Sequence, residues 1–411
     1  MTERPHPVIY SVLYFPFGAL GGFVTVAMTF LATRHGLSIT EGALFAAVGL
    51  LMSYLKWMWA PAVDVTLSPK RWYHISTGLS ALCVVALSAF PISPENLPLL
   101  LGIVAVGTFV NSVVGMAVEA IMAFAVPPSD IGRVSGWFQV GNLGGAGIGG
   151  GVGLILLEHL PSPWMAGALI GASFLLCGVA LRWLPDPPPH RVAGGVAGAM
   201  AKVFGDVRDM GRSKGGLLAA IICFLPLGTG AASGVLTQAK VSAAWGAGDT
   251  EVALVQGILA GVVTAIGCLI GGHICGRWHP RTVYAVNGLW LGALAVGMAL
   301  SPRTVSMFVT WSLVYNLFVG VAYAAFTAVV LGAIGMTSAA TKYNLYASLS
   351  NFPIWWLGLL LAWVAQDWSE SQMLYTEAAL GLAAVVLFVG LNRVVKQSRL
   401  PDESRAPAAA G

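Results

Sequence analysis

Apolar runs of about 20 residues, the length that crosses the hydrocarbon of a bilayer as an α-helix, recur along the whole of this 411-residue chain. A single anchor does not account for that. The runs are continuous, whereas the lipid-facing strands of a membrane β-barrel alternate apolar with polar residues, so a barrel is excluded. Composition agrees: 57% of the residues are hydrophobic and 9% charged, against about 25% charged in ordinary soluble domains. The expected fold class is an all-α integral membrane protein.

Polar and Pro/Gly interruptions divide the chain into about 12 spans. They are placed near 8–33, 43–63, 72–92, 98–126, 135–157, 164–184, 215–237, 251–275, 282–300, 307–335, 343–366 and 374–396. The first lacks a small-residue cleavage site and is read as a retained helix. Cytoplasmic loops carry an excess of Lys and Arg. With both termini inside, 17 of the 21 Lys and Arg fall on cytoplasmic segments, while Arg34, Lys240 and Arg303 fall outside and Lys56 alone lies within a span. The expectation is a multi-pass protein of a bacterial-type inner membrane with both ends cytoplasmic. The formal charge of +4 reports that topology and supports no nucleic-acid role.

The longest polar interruption, 185–216, carries three consecutive prolines and separates six spans from six. The reading is therefore a first half at 1–184, a central loop at 185–214, a second half at 215–396 and a disordered tail at 397–411. Within the loop, "AMAKVFGDVRDM" has helical spacing, consistent with a short helix on the inner membrane surface or with a solvated linker. If the halves are repeats, equivalent loops should match at one offset. Arg133 precedes Asn142 by nine residues, and Lys342 precedes Asn351 by nine, an offset of 209 between the pairs; Arg71 and Arg281 match at 210. A six-plus-six repeat follows.

Six spans on each side of a long loop, with basic residues on loops 2–3 and 8–9, resemble the major facilitator superfamily of transporters. Its loop motif is partly present in "APAVDVTLSPKRW", with Asp64, Lys70 and Arg71, and in "GGHICGRWHPR", with Gly272, Arg277 and Arg281. Three segments are similar to the AmpG-type muropeptide permeases and their acetyl-CoA and siderophore transporter relatives: "SYLKWMWAPAVD", "VEAIMAFAVPPSDIGRVSGWFQVGNLGG" and "SAATKYNLYASLSN". The resemblance implies a pseudo-two-fold 6+6 arrangement, with spans 1, 4, 7 and 10 lining a central cavity flanked by 2, 5, 8 and 11.

Alternating access needs polar groups near the bilayer midplane. Span 4 offers Asn111, Ser112 and Glu119, the last two on one face, and span 10 offers Asn316, Tyr323 and Thr327. Span 5 adds Gln139 and Asn142, span 11 adds Ser348, Asn351 and Trp355, and span 1 adds Tyr14 and Phe17. Any of the amides and hydroxyls can equally bridge neighbouring helices. Lys56, unpaired, costs at least about 2.5 to 3.5 kcal/mol in a span, so a partner is expected, and Glu119 at similar depth is the one assigned. Asp64, Arg71, Arg133, Arg281 and Lys342 are assigned to an inner gate, Arg133 and Lys342 in equivalent roles gripping helix C-termini or loop carbonyls of the opposing half, the alternative being that they only set positive-inside topology.

"GGAGIGGG" lies within an apolar span without the Lys-Ser and strand context of a phosphate loop, and is read as close helix packing or a bend. The five cysteines show no paired spacing, so neither a disulfide framework nor a metal site is expected, nor any cofactor. Two functions stay open. One is a monomeric secondary transporter for a moderate-sized amphiphilic solute, a sugar-peptide or a siderophore, coupled to protons through Glu119. The other is a transport-fold sensor or assembly factor that does not transport; enzymatic chemistry is not expected.

Overall fold

The computed structural model describes residues 5–187 and 195–398. Arg4, Arg191, Arg399 and Arg405, counted above for orientation, and the tail from 399 onward lie outside the described residues. Among those described, all regular structure is helical, and ten helices are long and apolar enough to cross a membrane. They are Val8–Arg34, Pro69–Ala89, Leu97–Ala125, Pro128–His159, Pro163–Trp183, Leu254–Cys275, Pro280–Leu300, Val305–Ile334, Ala339–Asp367 and Glu370–Gln397. These are spans 1, 3 to 6 and 8 to 12. Several begin a few residues before the sequence-based limits, because a helix continues beyond the hydrocarbon into polar surroundings where hydropathy no longer marks it.

The two remaining spans are discontinuous, which the sequence reading, with continuous runs at 43–63 and 215–237, did not anticipate. Span 2 runs as Ile39–Leu55, tightens into a 3₁₀ turn at Lys56–Met58 and resumes at Ala60–Val65. Pro61 explains the interruption: it has no N–H for the preceding turn, and its ring crowds the carbonyl four residues back. Span 7 runs as Lys214–Phe224, unwinds through Pro226 and Gly228, and resumes at Ala231–Leu236. Gly230, where it restarts, has φ +63, and a Cβ there would stand 2.7 Å from Val319, so the position suits only glycine.

Lys70, Arg71, Arg133 and Arg281, each in the first turn of a helix, lie at one end of the bundle, the basic face. Close helix contact joins the first and second halves there. A Cβ on Gly136 of span 5 would stand 2.6 Å from the Cys268 carbonyl oxygen of span 8, and one on Gly272 would stand 2.8 Å from the Gly132 oxygen. The glycine run near 144–151 packs in the same manner against span 1, where a Cβ on Gly149 would fall on the Ala19 carbonyl oxygen. Gly136→Ala should therefore wedge spans 5 and 8 apart. Overpacking costs about 1 to 3 kcal/mol, so closed-to-open ratios should fall roughly 5- to 150-fold. The measurement is the alkylation rate of Cys268 and Cys275, both free and buried beside this seam; an unchanged rate would show that the seam does not part.

The central loop forms a helix, Gly195–Arg212, that seats on protein. Ala199 and Val203 cover Val65 at the end of span 2, and Asp206 accepts a 2.8 Å bond from Ser338 Oγ just before span 11. One helix thus touches both halves at the basic face. Ser338 is buried with φ 50, a left-handed conformation uncommon outside glycine.

Candidate functional site

A cavity of about 300 Å³ lies between the halves near the middle of the spans. Both broken spans reach it, span 2 through Ser53, Tyr54 and Lys56 and span 7 through Leu225, Gly228 and Thr229. Discontinuous helices at mid-depth bring backbone groups free of helical pairing to a site, which suits polar solutes. Of the residues singled out in the sequence, Tyr14, Phe17, Lys56, Gln139, Asn142, Tyr323 and Asn351 line the cavity. Phe17, Tyr284 and Tyr343 give it an aromatic wall.

Toward the basic face the cavity has a layered floor that crosses from one half to the other. In the first layer Gln139 Nε2 donates to Thr327 Oγ1 at 2.6 Å, and Asn142 Nδ2 donates to Gln139 Oε1 at 2.9 Å. Phe138 meets Tyr343 edge-on across the same boundary, with centroids 6.1 Å apart. Below this lies Glu119, 0% exposed. Its Oε1 accepts from Tyr14 Oη at 3.0 Å, and its Oε2 accepts from Asn344 Nδ2 of the opposite half at 2.6 Å. Asn344 Nδ2 also donates to the Ala340 carbonyl at 2.8 Å, which fixes the amide's orientation.

The lowest layer is Asp64, whose carboxylate caps span 11. Oδ1 accepts from the Ala340 N–H at 3.2 Å, and Oδ2 accepts from the Thr341 N–H at 2.8 Å and from Thr341 Oγ1 at 2.6 Å. A helix N-terminus presents unpaired N–H groups and partial positive charge, so an anion from the other half is a well-matched partner. Lys342 is 7% exposed and donates to the Ile334 carbonyl, the last residue of span 10, at 3.0 Å.

Several sequence assignments are corrected by this geometry. Lys56 and Glu119 do not form an ion pair in this conformation. The carboxylate is turned to Tyr14 and Asn344, and Lys56, 6% exposed, holds its ammonium 5.7 Å from the centroid of Phe17. Asn111 donates to the Phe17 carbonyl at 3.0 Å and ties span 4 to span 1 outside the cavity. Asn316 braces span 7, with Ser233 Oγ 3.1 Å from its Oδ1. Trp355, 52% exposed, lines a lateral groove with Tyr54. Arg133 is exposed where Lys342 is buried, and Lys342 grips a helix end of its own half, so the two are not equivalent here. Arg71 is exposed, and Arg281 borders a separate pocket at the basic face with Ser129 and His279.

Asn344 and Tyr343 were not singled out, although both stand in the quoted segment "SAATKYNLYASLSN"; one turn of helix separates Asn344 from Ala340, whose N–H meets Asp64. Glu377, an acid only a few residues inside the last apolar run, also escaped notice.

Twelve membrane-crossing segments, two of them broken, around a cavity sealed on one face define a polytopic carrier-type protein. The family model of the Major Facilitator Superfamily matches residues 10–362, and the chain belongs to that family. Its non-enzymatic, transporter class follows. Among curated proteins the chain is similar to the anhydromuropeptide permease of Escherichia coli (strain K12), 21% identical over 97% of this chain and 82% of that protein. Among solved structures it is similar to the major facilitator transporter FucP in the outward conformation, with TM-score 0.70, 14% identity and coverage of 95% of this chain and 99% of that one. The human organic anion transporter MFSD10 gives TM-score 0.69, 17% identity and coverage of 94% and 100%. At such identities these likenesses show the fold.

Proposed function

We propose that this protein is a secondary active transporter that moves a moderate-sized amphiphilic solute by alternating access, with Glu119 carrying the coupling proton. The observation that carries the reading is the floor: a fully buried carboxylate beside a solute-sized cavity is hydrogen-bonded to both halves at once. Burying an ionised carboxylate costs several kcal/mol unless it is well paired. Tyr14 and Asn344 supply that pairing only while the halves are together. A proton on Oε2 turns an acceptor into a donor and removes the bond to Asn344 Nδ2, so protonation and floor opening are linked. Lys56, at the break of span 2, faces the cavity where it can bind an acidic group of the solute.

The likeness to a permease for anhydromuropeptides favours a cell-wall sugar-peptide over a siderophore. At about 300 Å³ the cavity lies at the low end of ligand pockets. A sugar-peptide therefore requires the outer parts of spans 2 and 11 to move apart. The test is uptake of labelled muropeptides and, separately, ferric siderophores into proteoliposomes under an imposed pH gradient. Uptake of neither, with folded protein in the membrane, would favour the non-transporting alternative.

With the basic face cytoplasmic in a bacterial inner membrane, cysteines introduced at Ser93 and Asp367 should react with an impermeant thiol reagent added to intact cells, and one at Gly195 should not. Reaction at Gly195 alone would invert the orientation. The proposed division into halves at 1–184 and 215–396 joined by the central helix predicts that the two segments reassemble when co-expressed.

A further inference from the structure

A second buried carboxylate lies away from the floor. Glu377 on span 12 is 6% exposed. Its Oε1 accepts from Tyr315 Oη of span 10 at 2.5 Å and from the Ala232 N–H of span 7 at 3.3 Å, while its Oε2 is buried with no hydrogen-bond partner. Tyr315 is the titratable side chain that meets it; among the described residues no Lys, Arg or His from the elements packed around it does so. An ionised carboxylate offers about four acceptor sites. Two donors on one oxygen recover only part of the hydration lost on burial, and the second oxygen recovers none. The neutral acid has the smaller deficit, because its charge is gone, Oε1 remains an acceptor and only one O–H is left without a partner.

The position of Ala232 gives this carboxyl a mechanical role. It is the second residue of the restarted part of span 7, two beyond Gly230, and the unwound stretch before it lines the cavity through Gly228 and Thr229. On the neighbouring residue, Ser233 Oγ contacts Asn316 Oδ1 at 3.1 Å and Gln256 Oε1 at 3.4 Å. The restart is thus clamped on one side by neutral amides, whose bonds do not depend on pH, and on the other by Glu377.

We infer that Glu377 is a proton-binding site separate from Glu119, whose neutral form docks the restart of span 7 against spans 10 and 12 and whose ionised form, drawing water to Oε2, releases it. The reaction is a simple exchange: the acid gives its proton to water and the carboxylate takes one back. Its consequence for transport, a pH-dependent rim on the cavity side opposite the floor, rests on the function proposed above. The protonation itself does not.

The experiment uses the full chain in lipid. Infrared difference spectra between about pH 5 and about pH 9 read the carbonyl band of protonated carboxyls. One titrating band should persist in Glu119→Gln, vanish in Glu377→Gln and move to higher frequency in Tyr315→Phe, where a donor to its carbonyl is lost. Hydrogen exchange at about pH 8 should run roughly tenfold faster over residues 225–236 in the wild type than in Glu377→Gln, which holds the neutral arrangement. Bands unchanged by both Glu377→Gln and Tyr315→Phe, or equal exchange in wild type and Glu377→Gln, would overturn the inference. Absence of solute flux with these results intact would count against the transporter reading alone.

Discussion

Glu119→Gln should abolish uptake driven by a pH gradient and spare exchange of labelled for unlabelled solute. The amide is close in shape to the protonated acid and still offers an oxygen to Tyr14. It presents an N–H toward Asn344 Nδ2, itself a donor, so the 2.6 Å bond between the halves is lost. With no group left to bind the proton, concentrative uptake should fall to the uncoupled level, which coupling free energies of about 1 to 3 kcal/mol place about 5- to 150-fold lower. Because Lys56 and Glu119 share no ion-pair contact, adding Lys56→Met should not restore it; a restored double variant would point to a static pair that serves folding. Full pH-dependent uptake by well-expressed Glu119→Gln protein would sink the assignment.

A second large effect is expected at Asp64. Asp64→Ala removes three hydrogen bonds to span 11 and the anion at that helix N-terminus. Loss of a capping side chain costs about 0.5 to 2 kcal/mol and loss of the charge about 0.3 to 1 kcal/mol. The closed floor should therefore lose roughly 4- to 150-fold in population. Distance measurements between the basic-face ends of spans 2 and 11 should report a longer population in the variant. Asp64→Asn, which keeps one acceptor oxygen, should lie between. Identical distributions in all three proteins would show that the cap does not hold the face shut.

How much of this was legible beforehand depends on how local the physics is. Span positions follow from hydropathy alone, and the segments read from the chain sit within a few residues of the helices observed. The breaks were missed because Pro61, Pro226 and Gly230 act on backbone pairing, to which a hydropathy window is blind. Seven of the fourteen polar and aromatic candidates line the cavity because one face of a helix can be read from spacing. The others, such as Asn111 and Asn316, have the right chemistry on the wrong azimuth, and only packing decides that. The partner of Glu119 was misassigned for a related reason. Depth along the membrane placed Lys56 beside it, but Asn344 reaches it from the other half of the chain, a relation fixed by how the halves dock.

Three π-helical turns, Phe23–Met28 in span 1, Val140–Gly144 in span 5 and Ala253–Leu259 at the start of span 8, have a bearing on how such chains diverge. A π-turn accommodates one residue more than an α-turn, so deleting a residue there yields a regular helix and not a broken one. In an α-turn the same deletion would swing everything on one side by about 100° about the helix axis, whereas at a π-turn the surplus residue is simply given up and the faces on either side keep their relative direction. A single-codon gap at these points is therefore silent in register: the lipid-facing and solute-facing surfaces on both sides of it stay where they are. Chains of this fold can therefore differ in length within membrane helices, where an indel would ordinarily be read as damage, and keep the same side chains on the solute cavity.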